Sequence, residues 1–363
     1  MSIAIVFGGK SVEHDVSIVT AKQIYNLCKD DGDVKLIYVG KDGDFFLYKN
    51  KDFEFEDFKG SIKNIQPITF HDGYVYANRL GIFSKKEKID CAIMCCHGGD
   101  GENGKVVSML NMAKIPTTVG SHTALGISMN KWLTKQFLKA TNIGFVKGFN
   151  ALKNDNIDKL DSRIINSFGY PVIVKPNGGG SSIGIATAKN KEDLKTALEI
   201  AFEFDSSAVI EKEIENFTEY NCAVFGDEES IQISKIDEPI KNEEILSFED
   251  KYLSGNKKGS MKTQQRKYPV LDKFLEDKIQ KTSKRLFLEL GFYGVIRIDY
   301  IYDKKTGKLY VNEINAIPGS LGLYFFARNI IEGKMFVKKL IDIGIKNYKQ
   351  NNQINKNFIT KLF

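Results

Sequence analysis

Cysteine and histidine are scarce in this 363-residue sequence, and their spacing fits no zinc site. None of the five cysteines forms a C-x-x-C pair; they are Cys28, Cys91, Cys95, Cys96 and Cys222. The four histidines lie far apart, at positions 14, 71, 97 and 122. We therefore expect buried, reduced thiols that neither bind metal nor catalyse a reaction.

Long apolar runs are also absent. No stretch of eighteen or more apolar residues occurs, and the longest runs, such as Cys91–Cys96, have the length of a strand. The start, MSIAIVFGG, has no basic segment and no small-residue cleavage site, so we predict a first β-strand there and not a signal peptide. These absences predict a soluble, cytoplasmic protein with no membrane partner.

Basic runs longer than two or three residues are missing, although the formal net charge is +6. The lysines are interspersed with Asp and Glu, so we expect no nucleic-acid partner. The composition, 42% hydrophobic and 27% charged, is ordinary for a globular protein. A chain of this length exceeds one hydrophobic core, which predicts two or three domains.

Alternating strand and helix patterns predict an N-terminal α/β domain with a parallel sheet, to about residue 120. Residues 41–88 are charged and aromatic, and are predicted to form a β-rich elaboration of unknown role. Beyond residue 120 the pattern is that of an α+β unit, with a strand pair around residues 176–184. A polar loop, Ser247–Lys267, is predicted to be mobile because it contains Gly255, Gly259 and several lysines.

The clearest local pattern is a predicted hairpin near the C-terminus. Side chains alternate along a strand, so Arg297 and Asp299 share one face, as do Glu313 and Asn315. A turn centred near residue 306 places Asp299 opposite Glu313, at about 5 Å between Cβ atoms. Two carboxylates that close favour a bound cation, and the oxygen donors suit Mg²⁺. The alternative is a hairpin whose carboxylates pair with Arg297 or with lysines.

Two glycine loops give weaker signals. The segment from Phe7 to Ser11 resembles the end of a P-loop, but the required first glycine is Ala4, which excludes that motif. Residues 99–104 match the G-x-G-x-x-G dinucleotide pattern and suggest an NAD-dependent oxidoreductase as an alternative. That class needs an acidic residue about 20 positions further on. After Glu102, however, the next acidic residue is Asp155.

A third loop, residues 175–184, has the sequence KPNGGGSSIG. Its glycines can expose backbone N–H groups to phosphate oxygens, and Lys175 adds a positive charge. Because it lies between two strands, it is predicted to be a β-hairpin flap. A flexible surface hairpin without function explains this segment equally well when it is taken alone.

Taken together, eight segments in order resemble the ATP-grasp superfamily and, within it, the D-alanine–D-alanine ligase family. They are FGGKSVEHDVS, HGGDGENG, SMNKWLTK, KPNGGGSSIG, VIEKEI, EDKYLSG, RIDY and NEINAIPGS. The resemblance implies an ATP-grasp fold behind a Rossmann-like N-terminal domain. It divides the chain into a substrate-binding domain (1–120), a central subdomain with the flap (121–211), and a C-terminal subdomain with the lid loop and metal site (212–363).

The resemblance also implies a role for each matching residue. Glu13 would hold the ammonium of the first substrate, and would join Ser181 and Tyr252 in a hydrogen-bonded set that closes the lid. Arg297 and the Gly319 N–H would form an oxyanion hole, and His97 would lie near the substrates. The metal ligands for two Mg²⁺ ions, which Mn²⁺ can replace, would be Asp299, Glu313 and Asn315. The ATP contacts would be Lys131, Lys175, Ser182, Glu211, Lys212, Ile214, Glu219 and Lys251.

The implied reaction is ATP-dependent ligation of two D-alanines through an acyl phosphate, for cell-wall precursor synthesis, by a homodimer. Some relatives accept D-serine or D-lactate as second substrate. The D-lactate type replaces the lid tyrosine, so Tyr252 favours D-alanine. The chain departs from the usual family pattern at Asn103, at Val107 and Ser108, and in the run after Gly319. Ser320 is therefore only a candidate for the second-substrate pocket.

Overall fold

The computed structural model describes residues 1–50, 52–60, 62–77, 85–239 and 266–353. A seven-stranded sheet organises the N-terminal third. In spatial order, the strands are Lys86–Lys88, Tyr74–Ala77, Ile65–His71, Phe45–Tyr48, Asp33–Val39, Ser2–Gly8 and Cys91–Met94. The last three are parallel, as predicted. The other four lie within residues 45–88, where a β-rich elaboration was predicted, and they pair antiparallel. Turns as short as Asp72–Gly73 leave no room for the crossover that parallel neighbours need.

The helix that the sequence predicts over Val16–Leu27 is confirmed as His14–Cys28, and it packs on the strand Ser2–Gly8. Ser17 joins the two elements, because its Oγ accepts a hydrogen bond from the Gly8 N–H at 2.7 Å. His14 bonds the Gly9 carbonyl through Nδ1 at 2.8 Å. Its Nε2 lies 3.2 Å from the Tyr38 hydroxyl. His14 is therefore a structural residue.

A second, four-stranded sheet has its own core. Its strands, in spatial order, are Ala186–Ala188, Val172–Pro176, Ser207–Lys212 and Gly148–Leu152. The first two confirm the predicted strand pair around the flap. The helices Ile157–Ser167 and Lys191–Phe202 contribute to this core. The helix Lys131–Ala140 leads into the unit and begins at a side-chain cap on Asn130.

The third sheet contains the predicted hairpin. Its strands, in spatial order, are Ile231–Ile233, Phe217–Gly226, Gly294–Asp303 and Lys308–Asn315. A two-stranded ribbon joins Glu238–Pro239 to Arg266–Lys267. Most of the predicted mobile loop, residues 247–265, lies outside the described residues. The remaining short elements are Phe55–Phe58, Gly99–Glu102, Lys105–Met112, His122–Met129, Gly319–Gly322 and Leu323–Phe326.

Two long helices complete the C-terminal part, Lys273–Glu289 and Ile330–Gln353. The second packs back on the N-terminal helix. A Cβ at Gly333 would lie 3.1 Å from the Leu27 side chain. The beginning and end of the chain thus share one hydrophobic core. Of the helices in the described ranges, none is long and apolar enough to cross a membrane.

Candidate active site

The hairpin has the register predicted from alternation. Asp299 lies opposite Glu313, and Arg297 lies opposite Asn315. The register shifts just after Asp299, because Tyr300 pairs with Val311 and leaves Asn312 as an extra residue. Such a bulge bends the strand and redirects side chains. Here the Asn312 side chain accepts a hydrogen bond from Lys175 Nζ at 3.3 Å.

Cations surround both hairpin carboxylates. Arg297 donates two hydrogen bonds to Asp299, at 2.7 and 2.8 Å. Asn315 Nδ2 donates a third at 3.0 Å. Lys131 Nζ lies 3.7 Å from Glu313 Oε1. The charge pairing that the sequence offered as an alternative is therefore present in this structure.

The same hairpin side chains also offer oxygen ligands that suit a divalent cation. Two carboxylates on adjacent strands and the Asn315 side-chain oxygen are hard oxygen donors, which Mg²⁺ prefers when it bridges phosphates. The described part of the chain contains no cluster of three or more His, Cys, Asp or Glu side chains that could hold a metal. The hairpin set of two carboxylates and one amide thus resembles a metal site completed by substrate phosphates more than an all-protein cage.

The glycine flap closes onto Glu13. Ser181 Oγ donates to Glu13 Oε1 at 2.6 Å, which confirms the predicted contact between these two residues. A Cβ at Gly180 would lie 2.6 Å from Glu13 Oε2, so only glycine fits there without moving the carboxylate. Lys131 Nζ holds the flap from its other side by donating to the Gly179 carbonyl at 2.7 Å. Burial, opposed by the hydrogen bond from Ser181, raises the pKa of Glu13.

Beneath the flap, two lysines share one buried carboxylate. Lys135 Nζ and Lys175 Nζ each lie 3.1 Å from a different oxygen of Glu211. Burial alone would raise the pKa of Glu211, but the two ammonium groups together lower it to about 2. Glu211 therefore holds Lys175 in place beside the hairpin. We refer to these three residues as the buried triad.

Lys135 was not predicted as a site residue. Its signal is in the segment SMNKWLTK, where Lys135 follows Lys131 by four positions and so lies on the same face of the helix. Lys131 is directed to the flap and to Glu313, and Lys135 to Glu211. One helix therefore supplies a lysine to the flap and the hairpin, and a second lysine to the buried Glu211.

His97 is buried in contact with the loop that follows the hairpin. Its Nδ1 is 2.9 Å from the Ile317 carbonyl, and its Nε2 is 2.8 Å from Thr20 Oγ1. Burial lowers the pKa of His97 to about 4. A neutral ring with both nitrogens bonded within the protein is suited to positioning and not to proton transfer.

The other predicted residues lie around these groups. Gly319 begins the turn Gly319–Gly322, and a Cβ there would meet no atom within 4 Å, so the space beside it is open. Ser320 adopts a left-handed backbone conformation, with φ of 53°.

Tyr324 was not predicted to belong to the site. Its hydroxyl lies 3.5 Å from Arg297 Nη1. Lys251 and Tyr252 lie outside the described residues.

Four predicted ATP contacts remain. Ser182 is exposed in the flap, with φ of 59°. Lys212 ends the strand Ser207–Lys212, Ile214 follows it, and Glu219 lies on the strand Phe217–Gly226. Burial opposes the charged form of Lys175, but the carboxylates of Glu211 and Glu313, with a smaller contribution from Glu219, raise its pKa.

The G-x-G-x-x-G segment is explained by packing. The segment was predicted to be a loop, and it is partly helical, over Gly99–Glu102. A Cβ at Gly99 would lie 2.5 Å from the Lys10 carbonyl oxygen, and one at Gly101 2.3 Å from the Cys96 Cβ. A Cβ at Gly104 would lie 2.8 Å from the His122 carbonyl oxygen. The three glycines are needed because other segments approach them closely, which removes the main support for the oxidoreductase alternative.

Two family models of known proteins together match most of this chain. The family described as D-ala D-ala ligase N-terminus matches residues 2–121, and that described as D-ala D-ala ligase C-terminus matches residues 137–346. The chain belongs to the D-alanine–D-alanine ligase family. A D-alanine–D-alanine ligase of Nitratiruptor is 36% identical over 329 residues, which are 90% of each chain.

Solved structures of this family share the fold. A D-alanine–D-alanine ligase from Helicobacter pylori aligns with a TM-score of 0.77 at 28% identity, over 94% of this chain and 98% of its own. The VanG D-Ala:D-Ser ligase from Enterococcus faecalis aligns with a TM-score of 0.72 at 25% identity, over 96% and 99%. The predicted ATP-grasp fold and the predicted ligase enzyme are both confirmed. ATP fits as the energy source of this ligase family.

Proposed function

We propose that this protein uses ATP to join two D-alanines into D-alanyl-D-alanine, a precursor for peptidoglycan. The observation that supports this most is the cluster on the hairpin. Asp299, Glu313 and Asn315 offer oxygen donors next to Arg297, and Lys131 reaches Glu313 from the helix that also holds the flap. This combination suits transfer of a phosphoryl group to a carboxylate.

The first step activates a carboxylate. A free carboxylate does not acylate an amine, because its leaving group is poor. Phosphoryl transfer from ATP converts it into an acyl phosphate, and positive groups neutralise the migrating charge. Lys131 and Lys175 are held at the hairpin by Glu313 and Asn312, where they would contact the phosphates.

Divalent metal fits this step. Asp299, Glu313 and Asn315 would hold two Mg²⁺ ions, or Mn²⁺ in their place. When bound, these ions neutralise phosphate charge and orient the phosphates.

The second step forms the peptide bond. The amine of the second amino acid, once deprotonated, attacks the activated carbonyl, and the negative charge moves to the carbonyl oxygen. Collapse of this tetrahedral intermediate breaks the bond to the phosphate oxygen, releases inorganic phosphate and leaves the peptide bond. Arg297 and the Gly319 N–H would stabilise that charge, as oxyanion-hole donors do. Glu13 would hold the ammonium of the first D-alanine, since a partly buried carboxylate gains most from a cationic partner.

Several further predictions rest on the family and lie beyond the described contacts. The lid residues Lys251 and Tyr252 would close the site and exclude water.

We also propose the three-part division at residues 120 and 211, which the separate core of the second sheet supports. A homodimer and a cytoplasmic location complete the proposal; the five free cysteines suit a reducing compartment.

A competition assay tests the proposed substrate. The protein is incubated with Mg-ATP and equal amounts of D-alanine, D-serine and D-lactate, and products are separated by mass. We expect D-alanyl-D-alanine as the main product, with ADP and phosphate released in equal amounts. A depsipeptide as the main product would show that D-lactate is the second substrate. D-alanyl-D-serine as the main product would show that D-serine is; the likeness to the VanG D-Ala:D-Ser ligase is the reason to include it. No ADP release with any mixture would contradict the proposed function itself.

A further inference from the structure

Side chains from the first third of the chain hold the loop that follows the metal hairpin. Both backbone polar groups of Ile317 are hydrogen-bonded to these side chains. Its N–H donates to Glu102 Oε1 at 3.0 Å, and its carbonyl accepts from His97 at 2.9 Å. These partners are 215 and 220 residues away along the chain. Three residues further, the Ser320 N–H donates to Thr20 Oγ1 at 3.2 Å.

The donor and acceptor roles in this network have a single consistent assignment. A carbonyl can only accept, so His97 Nδ1 carries the proton and Nε2 is the acceptor. Thr20 therefore donates its hydroxyl hydrogen to His97 Nε2, 2.8 Å away, and its oxygen remains available to the Ser320 N–H. The other oxygen of Glu102 accepts the Gly98 N–H at 2.9 Å. Every polar atom in the network thus has a partner.

The loop adopts a conformation that needs such support. Ser320, Leu321 and Gly322 have successive φ values of 53°, 51° and 61°. L-amino acids disfavour this left-handed region, and they remain in it only where the surroundings fix them. Leu321 is buried, which fixes one end, and the bond from Ser320 to Thr20 fixes the other.

We propose that Thr20, His97 and Glu102 form a loop clamp, whose function is to position the Gly319 N–H for catalysis. Gly319 lies between the two clamped residues, Ile317 and Ser320. The three side chains are positioning residues, because they act on the reacting atoms only through this backbone. The inference rests on the proposed function, in which the Gly319 N–H stabilises the oxyanion.

A matched pair of variants at Thr20 tests the clamp. Thr20→Val keeps the shape but removes the donor to His97 and the acceptor for Ser320, whereas Thr20→Ser keeps both. We expect Thr20→Val to lower kcat by about 10- to 100-fold, the usual effect of a small displacement of a catalytic group. KM for ATP should not change. Hydrogen exchange of residues 317–322 should become faster in Thr20→Val and stay as in the unaltered protein in Thr20→Ser.

The exchange measurement separates failure of the clamp from failure of the proposed function. Equal kcat and equal exchange in the two variants would overturn the clamp. Faster exchange in Thr20→Val alone, with unchanged kcat, would overturn its catalytic role. If the unaltered protein made no dipeptide, the proposed function would fail, and with it the catalytic role of the clamp.

A second variant covers the case in which Thr20→Val does not fold. Glu102→Gln keeps the side-chain length but presents an NH₂ group to one of the two backbone N–H donors. We expect the same pattern, a lower kcat at unchanged KM for ATP and faster exchange at residues 317–322. Unchanged kcat and exchange in Glu102→Gln would also overturn the clamp.

Discussion

Replacing Asp299 by Asn is expected to lower kcat for dipeptide synthesis by at least about 10²–10³-fold, the loss that follows removal of one transition-state charge-stabilising group. Asn keeps an oxygen at this position but loses the negative charge. The hairpin then offers Glu313 as its one carboxylate for metal, and Arg297 loses the partner that now accepts two hydrogen bonds from it. Both the metal and the guanidinium are therefore affected by one substitution.

The measurement is ADP release coupled to dipeptide formation over a range of Mg²⁺ concentrations. The matched control is Asp158→Asn, which removes an exposed carboxylate paired with Lys191 on the surface. We expect the control to retain full turnover and the same dependence on Mg²⁺. Full turnover by Asp299→Asn would show that the hairpin is not the metal site, and would favour a nucleotide-binding protein with dispensable metal ligands.

Glu211→Gln is expected to destabilise the fold by about 3–5 kcal/mol, the usual result of removing one partner from a buried ion pair. The reason is the buried triad. Lys135 and Lys175 are both buried, and each lies 3.1 Å from a Glu211 oxygen. Without that carboxylate, two ammonium groups would remain close together away from water.

Urea unfolding of the two proteins at several pH values measures this effect. The pKa of Glu211 is about 2 in the folded protein, below its usual 4.5. Its contribution to the free energy of unfolding is therefore fully present above pH 4.5 and is lost as the pH falls toward 2. Glu211→Gln should lack this part of the pH dependence.

Glu215→Gln, an exposed neighbour, is the control and should behave like the unaltered protein. Equal stability of Glu211→Gln and the control at pH 7 would contradict the role assigned to the triad.

The sequence predicted those parts of the site that depend on local periodicity. Alternation places Asp299 and Arg297 on one face, and a short turn sets the register against Glu313, so the hairpin followed from spacing alone. The flap was predicted in the same way, from glycines between two strands. Its contact with Glu13, 168 residues away, could not follow from spacing. The family resemblance supplied it, because both residues lie in segments that match the family's motifs.

Contacts between distant segments were not predictable from the residues themselves. The partners of Lys135, Thr20 and Glu102 lie far along the chain. The sequence around these residues does not indicate which partners they have. Residues 41–88 were predicted to be rich in strands, but their strand signals did not indicate which edge of the first sheet they would join. The loop after Gly319 departs from the family pattern, and there Tyr324 became visible only through its contact with Arg297.

The most direct test of the central claim follows oxygen from D-alanine into phosphate. The protein is supplied with Mg-ATP and with D-alanine whose carboxylate contains ¹⁸O, and the released inorganic phosphate is examined by mass spectrometry. If the carboxylate attacks the γ-phosphoryl group, one ¹⁸O atom must appear in the phosphate for each dipeptide formed. Dipeptide formation with unlabelled phosphate would contradict the acyl-phosphate route, and with it the function assigned to the hairpin.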